Sequence, residues 1–190
     1  MAVIFLNIFL WFAIIIFFAT LILFVLWSIG ILKNKTPFIP IPLSILPDIY
    51  KALDLKDDSV VYDLGSGDGR IVYYLAKYKP KAKIFGIENN LFALIFSTIS
   101  FFFIKKENKK NIKIIDNNFF KEDLRNATHL VSYIYPNVMD DLLIKFDQDL
   151  KPGTKLVSIS FKFINKKPIA EIDLNRSKYK LARKLYIYEF

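Results

Sequence analysis

The chain has 190 residues, room for one ordinary domain and an appendage. It contains no cysteine, which excludes disulfides, thiolate metal sites and thiol catalysis, and its formal net charge of +9 suits an anionic surface such as lipid headgroups or nucleic acid. Hydrophobic residues make up 54% and 19 residues are Phe, which is high for a soluble domain of this length.

Much of that excess lies at the start, where Met1 to Leu32 contain no charged side chain. A run of ~20 apolar residues already crosses a bilayer, so this one predicts a single transmembrane helix with tilt or interfacial overhang. No Lys or Arg precedes it and no small-residue cleavage site is evident, so the helix is expected to be retained. Lys33 and Lys35 follow the span directly, and the positive-inside rule then expects the remainder on the cytoplasmic side. A basic domain tethered there would be drawn to anionic headgroups. Next come prolines at positions 37, 40 and 42, which forbid helix and favour a stiff, extended spacer. Leu43 to Leu55 predicts a short helix with Pro47 in its first turn and Ile45, Ile49, Leu53 and Leu55 as its apolar positions.

The stretch from Val60 to Arg70, VVYDLGSGDGR, joins a predicted strand (Ser59 to Leu64) through a glycine-rich turn to a predicted helix (Arg70 to Tyr78). Such a turn brings backbone N–H groups close to a nucleotide-like ligand. The dinucleotide fingerprint needs G-x-G-x-x-G, but here the spacing is G-x-G-x-G and Arg70 stands in the place of the third glycine. Asp63, two residues before the first glycine, is poorly suited to a pyrophosphate, because two negative charges would face each other at low dielectric. It suits a ligand carrying an ammonium and a sulfonium, as S-adenosylmethionine does. Lys83 to Glu88 predicts the next strand, and Glu88 lies at the ~20-residue spacing of a ribose-binding carboxylate.

Leu91 to Ile104 predicts a helix of fourteen uncharged residues whose polar positions are limited to Ser97, Thr98 and Ser100. It is short for a membrane span, and part of its apolar face is expected to meet a membrane interface or a partner. Lys105 to Lys110 reads as a charged loop, Asn111 to Ile115 as strand three, and Leu130 to Tyr135 as strand four, ended by Pro136. Val138 to Leu150 has helical spacing, Lys155 to Phe163 reads as strand five, and 169–174 with 179–190 as a closing hairpin about Asn175-Arg-Ser. His129, the single histidine, is expected on the surface before strand four. Alternating strands and helices imply an α/β fold, a parallel sheet covered on both faces and finished by the antiparallel hairpin.

The run Asp63-Leu-Gly-Ser-Gly-Asp-Gly-Arg70 resembles the first motif of class I S-adenosylmethionine-dependent methyltransferases. With Thr36-Pro-Phe-Ile-Pro-Ile-Pro42, Asn118-Phe-Phe120, Tyr133-Ile-Tyr-Pro136 and Val157 to Phe163 in the same order, the chain is similar over 36–163 to one group of protein-lysine methyltransferases. That group includes the archaeal broad-specificity enzyme and the membrane-anchored mitochondrial enzymes acting on the c subunit of ATP synthase and on adenine nucleotide translocase. The chain departs from it at Ile41, usually Thr, at Lys162, usually Pro, and at Asn118, a position often acidic in class I enzymes.

The resemblance implies a Rossmann-like class I methyltransferase sheet preceded by one transmembrane helix, divided as an anchor (1–32), a proline-containing linker and short helix (33–58) and a catalytic domain (59–190). Expected cofactor-binding residues are Asp63, Gly65, Ser66, Gly67, Asp68, Gly69, Glu88, Asn89, Asn118 and Phe119. Phe38, Pro40, Tyr133, Tyr135 and Pro136 are expected at the acceptor, with the two tyrosines forming an aromatic mouth. Methyl transfer from a sulfonium needs positioning above all, so no catalytic base and no metal are assigned. A membrane-protein acceptor is expected. The alternatives are a lipid or quinone headgroup, a non-catalytic scaffold of the same fold, and RNA, which is disfavoured because no Asn-Pro-Pro-Tyr-like motif follows strand four.

Overall fold

The computed structural model describes residues 1–34, 39–174 and 182–190. Two compact units result, one of Met1–Phe38 and Asn90–Phe92, the other of Ile39–Asn89 and Ala93–Phe190. The first is dominated by helix α1 (Ala2–Asn34), within which Ala2–Ile29 is long and apolar enough to cross a membrane. Its 28 residues would reach ~42 Å against a hydrocarbon core of ~30 Å. Large apolar side chains from Val3 to Ile29 are exposed all round this helix, so no polar face opposes an apolar one.

The second unit is built on seven strands: β1 (Val60–Leu64), β2 (Lys83–Glu88), β3 (Ile112–Asp116), β4 (His129–Ser132), β5 (Lys155–Ile159), β6 (Ala170–Asp173) and β7 (Lys184–Glu189). They lie in the order β3-β2-β1-β4-β5-β7-β6, with β7 antiparallel to both β5 and β6 and the remaining pairs parallel. The helices are α2 (Leu46–Leu53), α3 (Arg70–Tyr78), α4 (Leu91–Phe102) and α5 (Pro136–Asp149). Alternation along β1 feeds two cores. Val61 joins Ile49 and Leu53 of α2 and Val72 and Leu75 of α3 on one face. Tyr62 and Leu64 join Met139, Leu142 and Phe146 of α5 on the other.

The expected α/β sheet and closing hairpin are present, and α3 and β2 have the expected limits. Several boundaries differ. Strand four begins at His129, which is therefore within the sheet and half-buried rather than a surface residue before it. It ends at Ser132, so Tyr133 and Tyr135 follow the strand. Pro136 does not stop a strand; it opens α5, where a fixed φ suits the first turn and no N–H is missed. Strand five ends at Ile159, because Ser160 takes a positive φ of 69° and the chain turns away. The Lys105 to Lys110 run contains a 3-10 turn (Lys106–Lys109). Phe38 and the hairpin turn at Asn175-Arg-Ser lie outside the described residues.

Candidate active site

After β1 the chain runs outward through β2 and β3, then returns to place β4 on the other side of β1. This reversal is the topological switch of an open α/β sheet, where a crevice forms beyond the carboxyl ends of the strands. Asp63 near the end of β1, Glu88 at the end of β2, Asn117 and Asn118 after β3 and Tyr133 after β4 all belong to that edge.

The glycine-rich turn is held by the end of β2. The N–H groups of Gly65 and Ser66 both donate to the Ile87 carbonyl, at 2.9 and 3.0 Å. Gly67 N–H donates to Glu88 Oε2 at 2.8 Å, and Asn89 N–H to Glu88 Oε1 at 2.9 Å. Two positions tolerate no side chain. Gly69 has φ 79°, and a Cβ there would stand 2.5 Å from the Tyr73 ring. A Cβ on Gly86 would come within 2.7 Å of Ser66 Oγ and of Ile114 Cδ1.

Asp63 is buried, and among the described residues its Oδ2 has no hydrogen-bond partner; the same holds for Ser66 Oγ. Burial, with the nearby carboxylates of Glu88 and Asp68, pushes the Asp63 carboxyl up to about 8. A buried acid with an orphaned oxygen beside two further acids fits a ligand that brings positive charge and N–H donors. It does not fit a pyrophosphate.

Two features lie outside the expected site. Arg70 grips Asp68 with Nε (2.8 Å to Oδ1) and Nη2 (2.5 Å to Oδ2), and its Nη1 donates to the Ile41 carbonyl. The cofactor turn is thereby tied to the proline segment. Arg70, Pro40, Ile41, Pro42 and Tyr133 line a cleft of about 610 Å³. Phe161 lies 5.8 Å from the Tyr133 ring and 5.4 Å from the Tyr135 ring, centroid to centroid, and so joins the two tyrosines. Burial and the neighbouring Tyr135 raise the Tyr133 phenol above its ordinary range. The sequence signal for Arg70 is its occupation of the third-glycine place. Phe161 has none of its own, being one aromatic among several in the Val157 to Phe163 run.

Asn118 builds the turn after β3, since its Oδ1 accepts the Phe120 N–H at 2.9 Å and commits the side-chain oxygen locally. Phe119 is half-buried against the second core and stacks obliquely on Phe120 at 4.9 Å. Asn89 adjoins the site through its backbone, and Pro136 sits at the first turn of α5. His129 bonds Thr128 at 2.8 Å, and burial with Lys155 nearby holds its imidazole below the usual range; it belongs to the sheet, not the crevice.

The profile of the ANTKMT methyltransferase domain matches residues 63–170. A protein-lysine N-methyltransferase of Saccharolobus islandicus (strain REY15A) is 32% identical over 126 residues, which is 66% of this chain and 76% of that protein. A lysine N-methyltransferase of Caenorhabditis elegans, named for the C subunit of ATP synthase, is 28% identical over 131 residues, 66% of each chain. Among solved structures, an RNA methyltransferase from Salinibacter ruber in complex with S-adenosyl-L-homocysteine superposes with a TM-score of 0.70 at 26% identity, covering 80% of this chain and 93% of that one. With the acidic crevice and its glycine turn already fitted to a cationic ligand, the chain belongs to the ANTKMT methyltransferase family and is an S-adenosylmethionine-dependent methyltransferase.

Proposed function

We propose that this methyltransferase modifies the ε-amino group of a protein lysine, on a membrane protein, from a domain anchored by α1. The observation that carries the reading is the 610 Å³ cleft, whose wall of Ile39, Pro40, Ile41 and Tyr133 abuts the cofactor turn through Arg70. Burial beside these groups strips water from an entering ammonium and lowers its pKa, which supplies the neutral amine without a dedicated base. The Tyr133, Tyr135 and Phe161 rings offer π-faces to the methylated ammonium that results. When bound, S-adenosylmethionine supplies a methyl group already activated on a sulfonium. Asp63 and the 65–69 turn would take its methionine end, Glu88 and Asn89 its ribose, and Asn118 with Phe119 its adenine. Pro136, at the first turn of α5, would flank the acceptor.

The names of the two relatives support lysine as the acceptor, and that of the Caenorhabditis elegans protein supports a membrane-protein substrate. We assign 1–32 to the anchor, 33–58 to the segment that leads into the cleft wall, and 59–190 to catalysis. Lys33 and Lys35 argue for a cytoplasmic domain.

The full chain, reconstituted in lipid with methyl-labelled S-adenosylmethionine, is offered separate membrane-protein, lipid and RNA fractions. Label on lysine in a protein band is the expected result. Label confined to RNA would replace this reading with the one that the Salinibacter ruber neighbour and the +9 charge favour. Label confined to lipid would also overturn the lysine assignment.

A further inference from the structure

Helix α4 is built inside out. Its buried positions are the small residues Ala93 and Ser97, one turn apart, and Ser97 is engaged by the Tyr73 hydroxyl, which donates to its carbonyl at 2.7 Å. Phe92, Leu94, Ile95 and Phe101 are half-buried, while one stripe of bulky side chains faces outward. Ile99 is 50% exposed, Phe102 75% and Phe103, just past the helix, 86%; with Phe96 they follow the i, i+3, i+6, i+7 spacing of one helical stripe. A helix flanking a sheet in water carries the opposite pattern.

The residues after the stripe identify the medium that covers it. Residues 105–110 hold four lysines and one glutamate, a net +3 of the chain's +9 within six residues. Lys105, Lys106 and Lys110 are exposed, and Lys109 Nζ lies 4.7 Å from the Phe101 ring centroid, so the cationic and aromatic groups share one surface. An apolar, Phe-rich stripe bordered by lysines matches the boundary between acyl chains and anionic headgroups. A second protein surface would have to supply both an apolar hollow and a matching acidic rim. The chain also carries a helix, α1, of a length and composition to keep it at a bilayer.

We propose that the outer face of α4, from Phe96 to Phe103, inserts into the headgroup region of an anionic bilayer, with Lys105, Lys106 and Lys110 bonding lipid phosphates. This contact is separate from α1, and it holds the sheet edge at β3 against the membrane. It does not depend on which acceptor is methylated.

The chain has no cysteine, so a single Phe103→Cys substitution carries an environment-sensitive fluorophore in the full chain. A second variant, Lys151→Cys, labels an exposed position just before β5, with three strands lying between β5 and β3. In nanodiscs containing phosphatidylserine, shallow nitroxide lipids should quench the label at 103 about threefold more than the label at 151. Replacing Lys105, Lys106 and Lys110 by Glu, or omitting phosphatidylserine, should remove most of that difference. Equal quenching at the two positions would overturn the proposal. So would a blue shift at 103 that appears in lipid-free detergent and grows with protein concentration, since that marks a second copy as the occupant.

Discussion

At the scale of single residues, Asp63 and Arg70 matter most. Asp63 is an acid whose burial and acidic neighbours raise it from 3.8 to about 8, so in the ligand-free fold it holds its proton at neutral pH. Linkage gives the sign: between those values the native state binds more protons than the unfolded chain, so its contribution to stability declines as pH rises through the window. Asp63→Asn should raise the melting temperature of the ligand-free protein, by a margin that widens from about pH 4 to about pH 8. Binding runs the other way. A cationic ligand favours the ionised carboxylate, so affinity for S-adenosylmethionine should climb from about pH 6 toward about pH 8 with release of a proton. Calorimetry in buffers of different ionisation enthalpy reads that proton. The Asp63→Asn variant should abolish the release and lose ~10- to 100-fold in affinity, the worth of a charged hydrogen bond. For Arg70, an alanine removes both the Asp68 pair and the Ile41 bond. Because this pair is partly exposed, Arg70→Ala should raise the acceptor KM by roughly tenfold rather than abolish activity, and Arg70→Lys should not rescue it, since an ammonium lacks the fork that spans both partners.

Among the elements, the loops after β1 and β4 carry the proposed site, and α5 packs behind them against Tyr62, Leu64 and Ile134. Phe146 of α5 is buried, edge-on to Phe163 at 6.4 Å and to Phe190 at 5.3 Å, and so ties the helix after the tyrosine mouth to the C-terminal strand. Phe146→Ala should cost about 3–5 kcal/mol in urea unfolding, whereas Phe146→Leu should cost far less. Phe161 tests the mouth itself. Its replacement by Ala leaves the acidic crevice untouched, so acceptor KM should rise while the cofactor dissociation constant stays within about twofold. Element limits are also where the sequence is least informative. The boundary at Ser132 falls where its partner strand β1 ends at Leu64, and the one at Ile159 where Ser160 turns the chain with a positive φ; no period-2 pattern records either. Pro136 is ambiguous for a related reason: proline ends a strand and opens a helix with equal ease.

The whole molecule joins an apolar helix to a basic methyltransferase domain. If α1 anchors it, the full chain should remain in the membrane pellet after alkaline extraction, while a variant lacking residues 1–34 should retain cofactor binding but require salt-sensitive lipid contacts to sediment with vesicles. Recovery of the full chain in the alkaline supernatant would rule out α1 as a membrane anchor.

Sequence alone determined the class of the fold and the cofactor. The Asp63 to Arg70 turn and the acid at Glu88 are local patterns, and their meaning follows from spacing within and between neighbouring elements. The apolar character of 1–32 and the uncovered face of α4 were legible for the same reason, since a hydrophobic count or a helical period needs no partner. Tertiary structure decided what acts together. Arg70 and the Ile41 carbonyl are 29 residues apart, and Tyr133 and Phe161 nearly as far; the first pair meets because α2, after the proline segment, packs on α3, the second because β5 lies beside β4. The proton on Asp63 was likewise invisible in the sequence, because it depends on three acids that the fold brings together with no described residue bonded to one of their oxygens.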